Sequence, residues 1–402
     1  MAVPSDAGPG RQRMALSRHK CDCRLVSADP VRALEMRTSL VQIVTQMEAG
    51  GAQRCAIENA RVYLSDGLPV ETWFLYRKRG AFEDEAAVVC LMDHPPAGTL
   101  DYLRIFVRLW CRLCKTRPRT VITYSHYANV FGCLFAALSG VPNRCANQTG
   151  LPSRIPAMAR HLDLLFGTIG VYSAVISNSV TTHAALQDRP DGYVRRLQLV
   201  PNGVARPPVF PGSRAEARQS FNLTADICVI VTVGRLADVK NHQRLIRAAA
   251  GLEGLVLLIA GDGECRTGLE QMISGLGKHS TTRLLGEVMP RDLGRLFAAA
   301  DAFILPSLWE SFGLAPLEAA GAGLPIAVSD IPAMREVAGE PEAGNALFFN
   351  PESEEDIRSA LTRLRDDREL RARLSRQSLT LADAYSVGAM AEGFLRASGH
   401  DG

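Results

Sequence analysis

Short apolar runs rich in β-branched residues recur along this chain, and amphipathic helical patterns separate them. Two of the clearest runs are residues 120–124 (TVITY) and 227–233 (ICVIVTV), while residues 53–64 and 102–115 carry helical patterns. Runs that are apolar at almost every position are typical of parallel strands covered by helices on both faces. The pattern therefore predicts an α/β protein built from doubly wound parallel sheets. The other predicted strands are residues 40–44, 70–76, 87–91, 174–178, 197–200, 255–260, 283–285, 302–306 and 325–329.

The length of 402 residues is enough for two or three domains. A proline-rich stretch at residues 203–213 (GVARPPVFPGS) predicts a linker between two of them. Ligands of doubly wound sheets bind beyond the carboxyl ends of the strands, so we expect the site in a cleft between the two domains. The predicted divisions are a disordered extension at 1–36, a first domain at 37–203, a second at 204–380, and a C-terminal helix at 381–402 that returns toward the first.

The composition is that of a globular protein, with 47% hydrophobic and 22% charged residues, which excludes a largely disordered or fibrous chain. The apolar stretches are shorter than the roughly 18–20 residues that cross a bilayer. Ten scattered cysteines do not form a disulfide framework, so we expect reduced thiols in a cytoplasmic protein. Residues 1–200 carry a net charge of +8 and residues 201–402 a net charge of −5, which predicts an anionic partner for the first half.

A row of cations stands out in the basic half. Their spacing of three or four residues places them on one face of the helix predicted within residues 102–119, opposite Phe106, Leu109 and Leu113. Two interpretations stay open: contact with an anionic membrane, or the solvated outer face of a helix. Nucleic acid is not expected, because no recognition motif or aromatic platform accompanies the charge. The row consists of Arg104, Arg108, Arg112, Lys115 and Arg119.

Residues 303–323 (FILPSLWESFGLAPLEAAGAG) carry the most specific pattern. A helix that begins near Gly313 would point the backbone N–H groups of Phe312, Gly313 and Leu314 outward, and such an end binds phosphate. Glu318 lies in the first two turns, where its carboxylate can hold the two hydroxyls of a ribose. The alternative for Glu318 is a structural one, since an acidic residue near a helix N-terminus favours the helix dipole.

A second phosphate-binding element follows the strand at 227–233. Gly234 ends that strand, and Arg235 and Lys240 extend from the loop beyond it. A guanidinium fork and an ammonium suit a diphosphate, although loop cations are also often only solvated. The turn Gly261-Asp262-Gly263-Glu264 does not complete a dinucleotide fingerprint, and we interpret it as a tight turn near a nucleotide.

Taken together, these segments resemble the retaining group-1 glycosyltransferases of glycosyltransferase family four. The similarity runs through most of residues 200–350, including GRLADVKNH, LLIAGDGE and LPSLWESFGLAPLEAAGAG. In the first half, Gly50-Gly51-Ala52-Gln53-Arg54 resembles that family's glycine loop, and His126 resembles its histidine near the sugar. The resemblance implies a GT-B fold, in which two Rossmann-like domains face each other across a cleft, the first on the acceptor side and the second binding the nucleotide sugar.

The resemblance also implies roles for individual residues. Glu318 would bind the donor ribose, Glu310 would lie near the transferred sugar, and Gly51 would approach the diphosphate from the first domain. The backbone near Val288 would face the base. The predicted catalytic residues are Glu310, Arg235, Lys240 and His126, although a structural role for His126 stays open. The predicted donor-binding residues are Gly51, Gly234, Arg235, Lys240, Val288, Glu310, Phe312, Gly313, Leu314 and Glu318.

No Asp-x-Asp pair is present, so no metal or other cofactor is expected, and protein cations would neutralise the leaving group. The sequence departs from the family at Asn241, where glycine is frequent, and within residues 144–151, where many relatives place a histidine. The second departure concerns the acceptor, because that region borders the acceptor pocket.

We therefore expect a retaining enzyme that moves a sugar from a nucleoside diphosphate donor to a hydroxyl of a glycan or lipid-linked glycan. Such an enzyme would act in polysaccharide or glycolipid biosynthesis, in the cytoplasm or at the inner face of the cytoplasmic membrane. The alternatives are a sugar-nucleotide epimerase, a phosphorylase or a non-catalytic two-lobed sugar-binding protein.

Overall fold

The structure is a computed structural model that describes residues 38–48, 50–150, 155–279 and 281–400. The extension predicted at residues 1–36 lies outside this part of the chain. The described residues form two parallel sheets, with helices between most of the successive strands. None of their helices is long and apolar enough to span a bilayer.

The first sheet has seven strands within the described residues, in the spatial order β3-β2-β1-β4-β5-β6-β7. Every neighbouring pair runs parallel, and Leu40 of the third strand in this order pairs with Val70 on one side and Thr120 on the other. The strands are β1 (Leu40–Met47), β2 (Val70–Arg77), β3 (Val88–Cys90), β4 (Thr120–Tyr124), β5 (Asn143–Gln148), β6 (Ala174–Ser177) and β7 (Leu197–Leu199). The helices of this half are α1 (Gly51–Ser65), α2 (Thr99–Thr116), α3 (Cys133–Leu138), α4 (Ala157–Ile169), α5 (Val180–Gln187) and α6 (Asp191–Val194), with a π-helical turn at Ala128–Gly132.

The second sheet has six parallel strands among the described residues, in the order β10-β9-β8-β11-β12-β13. These are β8 (Cys228–Val233), β9 (Leu255–Ala260), β10 (Thr282–Gly286), β11 (Ala302–Leu305), β12 (Ile326–Ser329) and β13 (Leu347–Phe349). The helices are α7 (Arg214–Ser220), α8 (His242–Ala249), α9 (Arg266–Gly275), α10 (Leu293–Ala299), α11 (Leu314–Gly321), α12 (Pro332–Ala338), α13 (Glu354–Asp366), α14 (Arg368–Asp383) and α15 (Val387–Ser398). Short 3-10 turns lie at Asp238–Lys240, Pro290–Asp292 and Pro341–Ala343.

The predicted α/β class with parallel sheets is confirmed, and each predicted strand is present with ends that differ by at most three residues from those expected. Two strands were not predicted. β5 (NRCANQ) is largely polar, and its buried amides hide the apolar signal, while β13 has only three residues. Strands such as β4, β9 and β11 are buried at every position because helices cover both faces of each sheet, as the apolar runs indicate.

The two halves are joined at several points of the chain. The C-terminal helix α15 packs on α1 of the first half, where the hydroxyl of Tyr63 donates to the carbonyl of Ala391 at 3.0 Å. The carboxylate of Glu336, on α12, accepts from the N–H groups of Val180 and Thr181 at 2.6 and 3.2 Å. Glu336 thus neutralises the positive end of α5 from the other half, and these contacts set the position of the cleft between the sheets.

Candidate active site

Two helix N-termini meet where the carboxyl ends of the two sheets face each other. Helix α1 begins at Gly51 and α11 at Leu314, and a Cβ atom on Gly51 would lie 3.2 Å from Cδ1 of Leu314. No side chain caps either helix, so the first N–H groups of both are available to a ligand. Two such ends, each carrying about half a positive charge, have the chemistry to bind an anion between the halves.

Gly313 makes the start of α11 possible. It has a φ of 100°, which L side chains rarely adopt, and a Cβ atom there would lie 2.3 Å from the Cε atom of Met334. The ring of Phe312 is buried against Tyr385, with the ring centroids 5.4 Å apart. The helix therefore begins where the sequence predicts, and the aromatic ring anchors the loop before it.

Glu318, on the second turn of α11, forms an ion pair across the cleft with Arg54 in the first turn of α1. Both side chains are largely buried, with 10% of the Glu318 side chain and 20% of the Arg54 side chain exposed. Burial lowers the pKa of Arg54, and the charge of Glu58, one turn along α1, partly offsets that effect. The residue predicted to hold a ribose therefore has a cation as its partner in this structure.

Glu310 and Lys240 form a second ion pair in the loops that follow β11 and β8. The Nζ atom of Lys240 donates to Oε1 of Glu310 at 2.6 Å, and the hydroxyl of Ser307 donates to the same oxygen at 2.7 Å. Only 10% of the Glu310 side chain is exposed. The structure thus brings together the residues predicted to serve the sugar and the diphosphate.

The ends of β8, β9 and β10 approach one another closely. The N–H of Gly234 donates to the carbonyl of Ala260 at 2.9 Å, and Gly261 donates to the carbonyl of Gly286 at 2.7 Å. A Cβ atom on Gly261 would lie 1.9 Å from the carbonyl oxygen of Gly234, so only glycine fits there. The Gly-Asp-Gly-Glu segment is therefore a tight turn, as predicted, which packs against the loop that carries Lys240. Arg235, in the same loop, is exposed.

A cavity of about 400 Å³ opens beside Glu318, within the range of small-ligand sites. Met289 and Pro290 of the second half line this cavity. Residues 203–208, which connect the first half to the second, line it as well. Val288 itself packs partly buried against the core of the second half. The size and position of the cavity suit a nucleoside whose ribose reaches Glu318.

His126 follows β4 at the carboxyl edge of the first sheet. Burial lowers its pKa, and its ring contacts that of Tyr127, with centroids 4.3 Å apart. It forms no hydrogen bond or ion pair with any residue that the structure describes. The preceding Ser125 has a φ of 77°, a strained conformation of the kind found at functional sites, and its hydroxyl bonds that of Thr45 at 2.7 Å.

The two departures from the family pattern have structural explanations. Asn241 has a φ of 57°, which asparagine tolerates, and its amide donates to the carbonyls of Pro306 and Pro351 at 3.0 and 2.8 Å. Within residues 144–151, the side chain of Gln148 is buried and donates to Asp163 at 2.6 Å. A Cβ atom on Gly150 would lie 4.0 Å from the ring of Trp309, so this loop faces the residue next to Glu310.

Two residues of the site were not predicted. Arg54 belongs to the glycine loop, but no role was predicted for it. Its position three residues after Gly51, in the first turn of a helix, could have indicated that it lies close to the site. Ser307 stands three residues before Glu310, and only the structure shows that its hydroxyl is buried against the carboxylate. Among the described residues, no group of three or more His, Cys, Asp or Glu side chains is arranged to hold a metal ion.

Comparison with known proteins agrees with this geometry. Residues 213–379 match the family model of the glycosyl transferases of group 1. The chain is 34% identical over 204 residues to a D-inositol 3-phosphate glycosyltransferase of Saccharomonospora viridis, which covers 47% of each protein. It is 31% identical over 217 residues to the lipopolysaccharide core biosynthesis glycosyltransferase LpsD of Rhizobium meliloti, covering 54% of this chain and 61% of LpsD. The chain therefore spans about half the length of the curated relatives it matches.

Among solved structures, the Anabaena protein HepE in complex with UDP and glucose superposes with a TM-score of 0.78 at 18% identity. The superposition covers 90% of this chain and 100% of HepE, so the likeness extends to both halves and concerns the fold. The chain is therefore a protein of the GT-B fold whose residues 213–379 match the group 1 glycosyl transferases.

Proposed function

We propose that the protein is a retaining glycosyltransferase of family four, which moves a sugar from a nucleoside diphosphate donor to a hydroxyl group. The observation that carries this proposal is the meeting of the uncapped N-termini of α1 and α11 beside two buried carboxylates. A diphosphate between the helix ends would place its ribose toward Glu318 and its sugar toward Glu310. HepE, which shares the fold, was solved with UDP and glucose, and this supports a nucleotide-sugar donor.

The donor would lie across the two sheets. The base would occupy the cavity beside Met289, one residue after Val288, and the carboxylate of Glu318 would accept hydrogen bonds from the ribose hydroxyls. The N–H groups of Phe312, Gly313 and Leu314 would bind phosphate oxygens from the second half. Gly51 would do so from the first half, since its lack of a side chain lets a ligand approach the backbone.

Charge on the departing diphosphate grows as the glycosidic bond breaks, and a preorganised cation stabilises that charge in the transition state. Lys240 is the best-placed cation, because the 2.6 Å contact holds its ammonium beside Glu310. Arg235 would extend from the same loop toward the phosphates. Glu310 would support the positive charge that develops on the sugar, and the donor phosphate would take the proton of the acceptor on the same face. These protein cations would neutralise the charge of the leaving diphosphate, as a metal ion does in other enzymes, so we expect catalysis without a metal ion.

The acceptor would enter from the first half, past His126 and the loop that holds Gly150. We propose a glycan or a lipid-linked glycan, which fits two relatives, a lipopolysaccharide core biosynthesis glycosyltransferase and a D-inositol 3-phosphate glycosyltransferase. Polar side chains of β5 replace the histidine that many family members carry there, so acceptor selection would differ from theirs.

The surface of α2 supports contact with an anionic membrane. The cations predicted to make this contact are partly engaged within the protein: Arg112 pairs with Glu71 at 2.8 Å and Arg104 with Asp101 at 2.9 Å. Beside these cations on α2 runs an exposed apolar row with a spacing of three and four residues. We propose that this row inserts into the inner face of the cytoplasmic membrane, with the cations beside the lipid phosphates. The row consists of Leu100, Leu103, Val107 and Trp110.

A transfer assay tests the proposed activity. The protein is incubated with radiolabelled UDP-, GDP- and ADP-sugars and a lipid extract, in excess EDTA and with added Mn²⁺. We expect one sugar nucleotide to label the lipid fraction at similar rates in both conditions, and Glu310→Gln to abolish the labelling. Conversion of the sugar nucleotide without an acceptor would indicate an epimerase, and activity restored only by Mn²⁺ would contradict the metal-free mechanism.

A further inference from the structure

Arg54 occupies an unusual position for a cation. It lies in the first turn of α1, where the helix dipole is positive, and the N-terminus of α11 faces it across the cleft. Its side chain is four-fifths buried, and burial lowers its pKa. Burial and the two positive helix ends all oppose a charge at this place, so other charges must stabilise it.

Two carboxylates do so in this structure. Glu318 pairs with the guanidinium from the other half, and Glu58 lies one turn further along α1. Glu58 is also engaged by Arg61 at 2.7 Å, which leaves Glu318 as the direct partner of Arg54. A ribose that bonds Glu318 would compete with Arg54 for the same carboxylate oxygen.

Once released from Glu318, the guanidinium of Arg54 would lie close to another anion. Arg54 stands three residues after Gly51, whose position against Leu314 marks the point where the two helix ends meet. That point is where the diphosphate of the donor would lie. A planar guanidinium fork binds two phosphate oxygens at once, so the exchange replaces one ion pair by another.

We propose that Arg54 is an exchangeable counterion, which pairs with Glu318 when no donor is bound and with the diphosphate when the donor is bound. The inference rests on the proposed function, because it needs Glu318 to be the ribose ligand. It makes Arg54 a donor-binding residue of the first half, and it means that the ribose and the diphosphate must arrive together for tight binding. A nucleoside alone would break the ion pair between Arg54 and Glu318 but would not supply a diphosphate to which Arg54 could bind.

Calorimetric titration of Arg54→Met distinguishes this role from a merely structural one. Uridine, guanosine, adenosine and their diphosphates are first titrated into the wild-type protein to find the base that binds. The nucleoside and the nucleoside diphosphate of that base are then titrated into the variant. We expect the diphosphate to bind at least tenfold more weakly to Arg54→Met, while the nucleoside binds within twofold of wild type or more tightly. Equal weakening of both ligands would show that Arg54 only orients Glu318, and no change in either would show that it has no role; both results overturn the proposal.

Two further variants complete the test. Arg54→Lys keeps a charge at this place and should recover part of the affinity for the diphosphate, even if Arg54→Met folds poorly. Arg247→Met removes a half-buried arginine paired with Glu354 at 3.2 Å, away from the cleft, and should change neither affinity. If the wild-type protein binds no nucleoside diphosphate, the proposed function fails with the inference. If it binds one and the expected difference between the two ligands is absent, only the inference fails.

Discussion

Lys240 and Ser307 both donate to Oε1 of Glu310, at 2.6 and 2.7 Å, in a site where the carboxylate is nearly buried. The pair joins the loop after β8 to the loop after β11, so one contact fixes the cation and the carboxylate relative to each other. It also balances the charge of Glu310, since a buried carboxylate without a cation is costly. The ammonium has two further protons with which to bind a phosphate oxygen.

Lys240→Met should lower kcat by about 10²-fold or more, because it removes charge that stabilises the leaving group in the transition state. It should also lower the free energy of unfolding by about 1–3 kcal/mol, because Glu310 loses its charged partner in a largely buried place. Rate assays and urea unfolding measure the two effects.

The double variant Lys240→Met/Glu310→Gln is the matched control for stability. It removes the unpaired carboxylate and should recover most of the lost unfolding free energy while activity stays low. A change confined to KM in Lys240→Met would assign Lys240 to ground-state binding and contradict its proposed role.

His242 should make stability depend on pH. Burial and the neighbouring Lys240 lower its pKa to about 4 in the folded protein, whereas an unfolded histidine titrates near 6.5. The unfolded state therefore binds the extra proton between these values, so this contribution to stability is complete above pH 6.5 and is lost as the pH falls toward 4.

Urea unfolding at pH 4.5, 5.5, 6.5 and 7.5 tests this. We expect His242→Gln to lose less unfolding free energy than the wild type between pH 6.5 and 4.5, by on the order of 2 kcal/mol. His94→Gln, which changes an exposed histidine, should follow the wild type. Parallel curves for wild type and His242→Gln would show that His242 does not carry the effect.

Much of the fold and part of the site could be predicted from the sequence, for identifiable reasons. Apolar runs indicated most strands, and Gly313 with the proline that follows marked the start of α11. The ion pairs could not be predicted, because Arg54 and Glu318 are 264 residues apart and meet only through the arrangement of the two sheets. The strand β5 was not predicted because most of its residues are polar, and hydrophobic periodicity does not show that Asn147 and Gln148 are buried. The roles of individual site residues stay predictions until tested.

The outer surface of α2 should bind anionic bilayers through its apolar row. We expect the protein to sediment with vesicles that contain phosphatidylglycerol and less with phosphatidylcholine vesicles alone. Val107→Ser/Trp110→Ser should weaken the binding roughly tenfold or more, because two large apolar groups stay in water. Leu276→Ser/Leu379→Ser removes exposed apolar groups from the second half and should bind as wild type. Equal binding of both double variants would exclude the row as the contact.

The central claim is that the cleft binds a nucleoside diphosphate with its ribose on Glu318 and its sugar toward Glu310. Calorimetric titration of UDP, GDP and ADP into Glu318→Gln and Glu310→Gln tests it most directly. Loss of hydrogen bonds to a charged group costs about 1.5–3 kcal/mol, so Glu318→Gln should bind the preferred nucleotide roughly ten- to a hundredfold more weakly. Glu310→Gln should bind it within about twofold of wild type, while turnover falls by at least about 10²-fold. Equal loss of nucleotide affinity in the two variants, or no nucleotide binding to the wild-type protein, would contradict the claim.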